Sequence, residues 1–358
     1  MRCSRRPGAR TPSEIRRAFR AIIEESAGPS FGTRSALGTG PTAKAPHRRV
    51  SDFDWLKGQL VKILDWGDDA SQASPDVFHE YGIHTALKLA ALNHALDVFT
   101  PIAGGQSKDG RKYGRSVYID LFAGCGVTRT DKGDWLAGSP ILAAHAKIPF
   151  DEVILVEQAE GRFEVLRQRI SRIPRDRVPR PILLRGNCNH LKGEIARLLR
   201  PNDLAFVCVD PEGTEVHWDT LQEIVNACPA SDLFINFTDG VDRILAVAQM
   251  DGRGTSRLEQ FTGQRLSELL AGLGQETTVL PLYERNLESD LAKPLGAASA
   301  IKDVEGRALY HLLIRTRRTS RGSPYWRGYE DLANRLQGVT ASQAAQAIDI
   351  LKGRQKEL

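Results

Sequence analysis

"YIDLFAGCGVTRT", residues 118–130, is the stretch on which the fold turns. Strand-like residues run into Asp120, then Phe122, then Gly124 and Gly126, two positions apart. Glycines at a strand end let backbone approach a ligand where a Cβ would block it. The stretch is therefore either a ligand cradle or a plain corner between a buried strand and a helix. Position 129 is Arg129, so the third glycine of GxGxxG is missing. No GK[ST] follows, which excludes a phosphate-binding P-loop.

Outward from this stretch, short apolar runs alternate with helical stretches. "SVYIDLF" (116–122), "EVILVE" (152–157), "PILLRG" (181–186), "LAFVCVD" (204–210) and "DLFINF" (232–237) read as strands. Helical segments fall near 139–147, 161–173, 189–200 and 215–228. Strands apolar on both faces and separated by helices make a parallel α/β sheet. Within "AASAIKDVEGRALYHLLIRTRR" (297–318), two β-like runs flank "DVEG", a hairpin signal. Ahead of the sheet, "SDFDWLKGQLVKILDW" (51–66) has helical spacing with Ser51 or Asp52 as its cap. Residues 74–99 read as a longer helix carrying His79, His84 and His94, and 100–114 as a loop. His84, Lys88 and Ala91 share a face of that helix, which either packs or closes over a site. Residues 327–354 give two short helices around "QGVT", a packed pair or the core of a helix-turn-helix. No internal repeat is present.

In a doubly wound sheet, ligands sit at the carboxyl ends of the strands. The first strand ends on Asp120, placed to accept from an ammonium or hydroxyl group, and then on the two glycines. The second ends on Glu157, where an acid binds ribose hydroxyls in nucleoside-binding sheets. The insert "TRTDKGDWLAGSP" explains the long gap from Gly126. The third ends "RGNCNH", offering Asn187 and Asn189 as amide partners for an adenine edge or as turn formers. The fourth ends "VDPEG", with Asp210 held rigidly by Pro211 and followed by Glu212. His217 lies just beyond. The fifth brings Asn236, Asp239 and Arg243 to the same rim. Polar groups on five consecutive strand ends indicate a ligand site more than packing.

The chain has 358 residues and a net charge of +5. Residues 1–50 carry net +8, so the remainder is at −3, and the basic balance is weak support for a nucleic-acid surface. Rich in Gly, Pro, Ser and Thr over 27–50, residues 1–50 are expected to be a disordered basic tail. The five cysteines form no CxxC, reading as free thiols of a reducing cytoplasm and not as a metal site. No apolar run approaches the roughly 18 residues of a membrane span. Expected boundaries are a tail at 1–50, an N-terminal helical segment at 51–113, the α/β domain at 114–320 and a C-terminal helical segment at 321–358.

With these residues placed, the chain resembles the class I S-adenosyl-L-methionine-dependent methyltransferases. More narrowly it is similar to the bacterial three-Cys-motif partner family. "YIDLFAGCG", "GSPILAA", "VILVEQ", "RGNCN", "VDPEG" and "DLFINFTDGVDR", in that order over roughly 80–320, carry the resemblance. It implies a Rossmann-like seven-stranded sheet ending in an antiparallel hairpin. The resemblance also implies the cofactor S-adenosyl-L-methionine. Asp120, Phe122, Gly124 and Gly126 would line its methionine part, Glu157 its ribose, Asn187 its adenine, and Asp210 would lie beside the methyl. Asp210, Pro211 and Glu212 would be the catalytic loop, and Asn236, Asp239, Arg243 and His217 would face the acceptor. A separate protein bearing the three cysteines would be the partner, with nucleic acid as a further, optional one.

"DPEG" is also similar to the "DPYG" or "DPFG" of tRNA guanine-N2 dimethyltransferases. Enzymes that methylate base amines stack an aromatic there on a flipped base. Glu212 stands in that place and cannot stack. It pairs instead with a cationic acceptor, or marks a cofactor-binding subunit without turnover, such as one in a defence system.

Overall fold

A computed structural model describes residues 50–104, 114–179, 181–274, 276, 278–318 and 326–356. The basic tail expected at 1–50 lies, but for Val50, outside the described residues. So does most of the loop expected at 100–114.

The described residues open with α1 (Asp52–Ser71), capped by the Ser51 side chain on the Asp54 N–H at 3.1 Å. β1 (His79–Glu80) and α2 (His84–Ala103) follow. The single helix read over 74–99 is thus corrected. Pro75 supplies no N–H and Gly82 weakens a helix, so residues 74–83 take another course, and His79 lies on a strand. The far end runs the other way: residues 100–103, read as loop, continue α2 through Pro101.

β2 (Ser116–Asp120) enters the main sheet. β3 (Val127–Arg129) and β4 (Trp135–Ala137) then form an antiparallel ribbon, and β1 pairs parallel with β3 through His79 opposite Thr128. This ribbon is the insert that sequence reading treated as added length. After α3 (Ser139–Ala144) come β5 (Glu152–Glu157), α4 (Glu160–Arg172), β6 (Pro181–Arg185), α5 (Cys188–Leu198), β7 (Leu204–Val209), α6 (Trp218–Ala227) and β8 (Ser231–Thr238). Four helices fill the next stretch, over which sequence reading assigned no elements: α7 (Gly240–Asp251), α8 (Thr255–Thr262), α9 (Leu266–Leu273) and α10 (Leu280–Ser289). β9 (Leu295–Lys302), β10 (Ala308–Thr316), α11 (Trp326–Gln337) and α12 (Ala341–Leu351) complete the chain.

The main sheet has seven strands in the order β6-β5-β2-β7-β8-β10-β9. β2, β5, β6, β7 and β8 are parallel, and β10 inserts antiparallel between β8 and β9. This is an α/β, Rossmann-like sheet with a terminal antiparallel hairpin. Its order reverses at β2, so the carboxyl ends of β2, β5 and β7 flank the crevice where such sheets bind ligands.

Period-2 alternation sends successive side chains to opposite faces. Val117 and Ile119, Ile154 and Val156, and Val207 and Val209 face a core with α5, α6 and α8. Tyr118, Leu155, Phe206 and Phe234 face the other core, built by α1, α2, α3, α11 and α12. The N- and C-terminal helices therefore share one apolar cluster. α12 buries Ala344, Ala347, Ile348 and Leu351 in this cluster. No helix of the described residues is long and apolar enough to cross a membrane.

Candidate functional site

Past β2 the chain turns through Gly124 (φ 62°) and Gly126 (φ 90°), a left-handed course that an L side chain resists. A Cβ on Gly124 would stand 2.9 Å from His79 Nε2. Asp120 lies beneath this turn, fully buried. Its Oδ1 accepts from the Phe122 N–H at 3.2 Å and its Oδ2 from the Tyr118 hydroxyl at 3.1 Å. Burial pushes its carboxyl up to about 6. Asp120 therefore holds the turn from below and is absent from the wall of the cavity it supports.

That cavity, about 260 Å³, opens at the carboxyl ends of β2, β5 and β7. Phe122, Gly124, Gly126, Glu157, Asn187, Asp210 and Glu212 all line it. Glu157 is buried, and its Oε1 accepts from the Ala159 N–H at 2.7 Å and Arg162 Nε at 3.0 Å. Asn187 caps α5, its Oδ1 accepting from the Asn189 N–H at 2.9 Å. Asn189 is a strut, not a wall residue. Its amide joins the Glu215 carbonyl, the His217 N–H and the Thr220 hydroxyl at 2.7–2.9 Å.

At the far end, the Asp210 carboxylate takes both Lys88 Nζ, at 2.6 and 2.9 Å, and Asn236 Nδ2, at 2.9 Å. Lys88 comes from α2, with the rings of Tyr81 and Tyr310 centred 5.7 and 6.0 Å from its nitrogen. The Tyr81 hydroxyl donates to Glu212 Oε1 at 3.2 Å. Burial, then the Glu212 charge, push that phenol far up, so it stays a donor. His79 stacks on Tyr81, and burial holds its imidazole below the ordinary range, neutral near pH 7. The segment from β1 to the start of α2 thus covers the cavity, and of the face once read as packing or closing, Lys88 reaches the site.

Other named residues lie elsewhere. Asp239 pairs with His311 Nδ1 at 2.9 Å; His217 precedes α6; Pro211 is buried; none of these, nor Arg243, lines the cavity. Asn236 reaches it through Asp210. Of those the sequence missed, Arg169 is the clearest. Its guanidinium is buried and donates to the carbonyls of Ala70, Ser74, Val77 and Cys125 at 2.7–3.1 Å. It ties the glycine turn to the covering segment. The only sequence signal was an arginine between Leu166 and Ile170 on the apolar stripe of α4. Cys125 is buried, like Cys188, Cys208 and Cys228. Among the described residues no group of three His, Cys, Asp or Glu side chains is placed to hold a metal ion.

No family model matches the chain, and no curated protein does. Some solved structures are similar to it. A Legionella pneumophila protein shares 10% identity at a TM-score of 0.40, covering 70% of this chain and 94% of its own. An O-methyltransferase of Bacillus cereus in complex with SAH shares 14% at 0.39, covering 73% and 91%. Trm1 of Pyrococcus horikoshii with S-adenosyl-L-methionine shares 14% at 0.37, covering 75% and 76%. The assignment of the sheet stands on its own strand order.

Proposed function

We propose that this chain is an S-adenosyl-L-methionine-dependent methyltransferase of the three-Cys-motif partner type, acting on an amine- or amide-type acceptor with a protein partner. The observation that carries the reading is one cavity with Gly124, Gly126 and Glu157 at one end and Asp210 at the other. The residues fit the cofactor. Left-handed glycines keep the wall beside the turn free of Cβ atoms, where the methionine part would lie. The buried Glu157 carboxylate is an acceptor for ribose hydroxyls, and the Asn187 region borders the adenine. Bound there, the cofactor supplies a methyl group on a cationic sulfur. The chain's own task is then positioning and electrostatics. Asp210, fixed by Asn236, orients the acceptor nitrogen and takes its proton.

Isothermal calorimetry with S-adenosylhomocysteine tests this. We expect one site per chain, and affinity about tenfold to a hundredfold weaker in Glu157→Gln, the loss of a charged acceptor. No heat of binding from the intact protein sinks the reading. One observation favours a second reading, a cofactor-binding subunit without turnover: Lys88 already occupies Asp210. Labelled cofactor offered to total cell protein and RNA separates the two. Buried free thiols support a reducing compartment such as the cytoplasm.

A further inference from the structure

Lys88 shows what the acceptor end of the cavity can hold. Its ammonium lies within hydrogen-bond reach of both Asp210 oxygens, at 2.6 and 2.9 Å, and Asn236 anchors that carboxylate at 2.9 Å. Two aromatic rings stand within 6.0 Å of the same nitrogen, Tyr81 and Tyr310. Both are themselves held, Tyr81 by Glu212 and Tyr310 by the His84 carbonyl at 3.3 Å. A point that a carboxylate and two tyrosine rings share, as they do at the Lys88 nitrogen, is a seat for an alkylammonium, since ring quadrupoles and the anion both attract the cation. The Asn236 Oδ1 is buried without a hydrogen-bond partner among the described residues, which leaves the amide acceptor capacity. Glu212, exposed at the rim, extends the acidic character outward and opposes a phosphate backbone.

We propose that the acceptor is a primary alkylamine of the lysine side-chain type, presented by a protein or peptide, and that Lys88 is a tethered pseudosubstrate which the incoming amine displaces. This rests on the methyl-transfer reading above and gives its site a substrate class. The incoming ammonium yields one proton to Asp210. Its freed lone pair forms the new bond to the methyl carbon, and the electron pair of the broken carbon–sulfur bond stays on sulfur. Displaced Lys88 turns to solvent.

The test is binding of a short peptide with one internal lysine to the full chain, read by fluorescence anisotropy, with the same peptide acetylated on that lysine as control. Lys88→Ala empties the seat, and Lys88→Arg keeps a cation in it. We expect Lys88→Ala to bind the lysine peptide at least tenfold tighter than wild type. Lys88→Arg should match wild type, the acetylated peptide should gain nothing, and Asp210→Asn added to Lys88→Ala should erase the gain. Equal gain by the acetylated peptide, no gain at all, or gain by a short single-stranded RNA instead overturns the proposal. Homocysteine-product calorimetry on the same samples reads the cofactor site separately. A peptide gain without cofactor heat would discard methyl transfer and keep the ammonium seat; cofactor heat without a peptide gain would do the reverse.

Discussion

At Asp120 a carboxyl group with no exposed surface holds the glycine turn through one backbone N–H and one phenol. Its pKa rises from 3.8 to about 6 because burial disfavours the charge. An acid raised in the folded state is best tolerated when protonated. The folded form therefore loses stability as pH climbs from about 4 to about 6, and the cost is fully present above that. The shift corresponds to at most about 3 kcal/mol. Asp120→Asn is accordingly expected to be about 1–3 kcal/mol more stable than wild type at pH 7.5 and nearly equal to it at pH 4. Urea denaturation at the two pH values measures the difference, and a constant difference refutes the assignment. The sequence placed Asp120 at the right strand end. It did not reveal that the side chain turns beneath the loop, because residue order alone does not show whether a strand-end carboxylate faces a ligand or, as here, accepts from the Phe122 N–H and from the Tyr118 hydroxyl two positions back on the same face.

Among the elements, the turn after β2 and the helix α4 give opposite responses to the same substitution. Gly124→Ala puts a Cβ at φ 62° beside His79, and a left-handed non-glycine residue costs about 1–2 kcal/mol. Gly161→Ala, in the first turn of α4, meets nothing within 4 Å and reduces the freedom of the unfolded chain, a gain of about 0.4–1 kcal/mol. Denaturation midpoints of both variants should therefore move in opposite directions, with cofactor affinity lost in the first alone. The strands of the main sheet were legible because runs such as "VILVE" are apolar on both faces. β1, β3 and β4 were not: two or three residues are too few to display a period. The covering role of residues 79–81 was hidden for the same reason, and Tyr81 with it, whereas the His84–Lys88 face reads from the sequence as one that packs or closes over a site.

Over the whole molecule, the first and last of the described helices, α1 and α12, meet in one apolar cluster against the sheet. α11 contributes Tyr329, Leu332 and Leu336, and the Tyr329 hydroxyl donates to the buried Asp232 of β8 at 2.9 Å. A chain ended at residue 325 loses these and the buried face of α12, at roughly 1.5–3 kcal/mol for each large side chain. Set against a total of about 5–15 kcal/mol, that loss leaves no stable fold. Circular dichroism and thermal denaturation should show the truncated chain without a cooperative transition, and Tyr329→Phe about 1–3 kcal/mol weaker than wild type.

The place of β10 in the sheet sets an order on how the molecule comes into being. β8 must keep its outer edge unpaired until residues 308–316 exist, although the rest of the parallel sheet has by then been made. During synthesis that edge is an open template for pairing with other chains. The cluster that α11 and α12 complete forms later still, once residues 326–351 have emerged. A nascent chain arrested before residue 308 thus carries that open edge, and it is the form a chaperone would have to shelter.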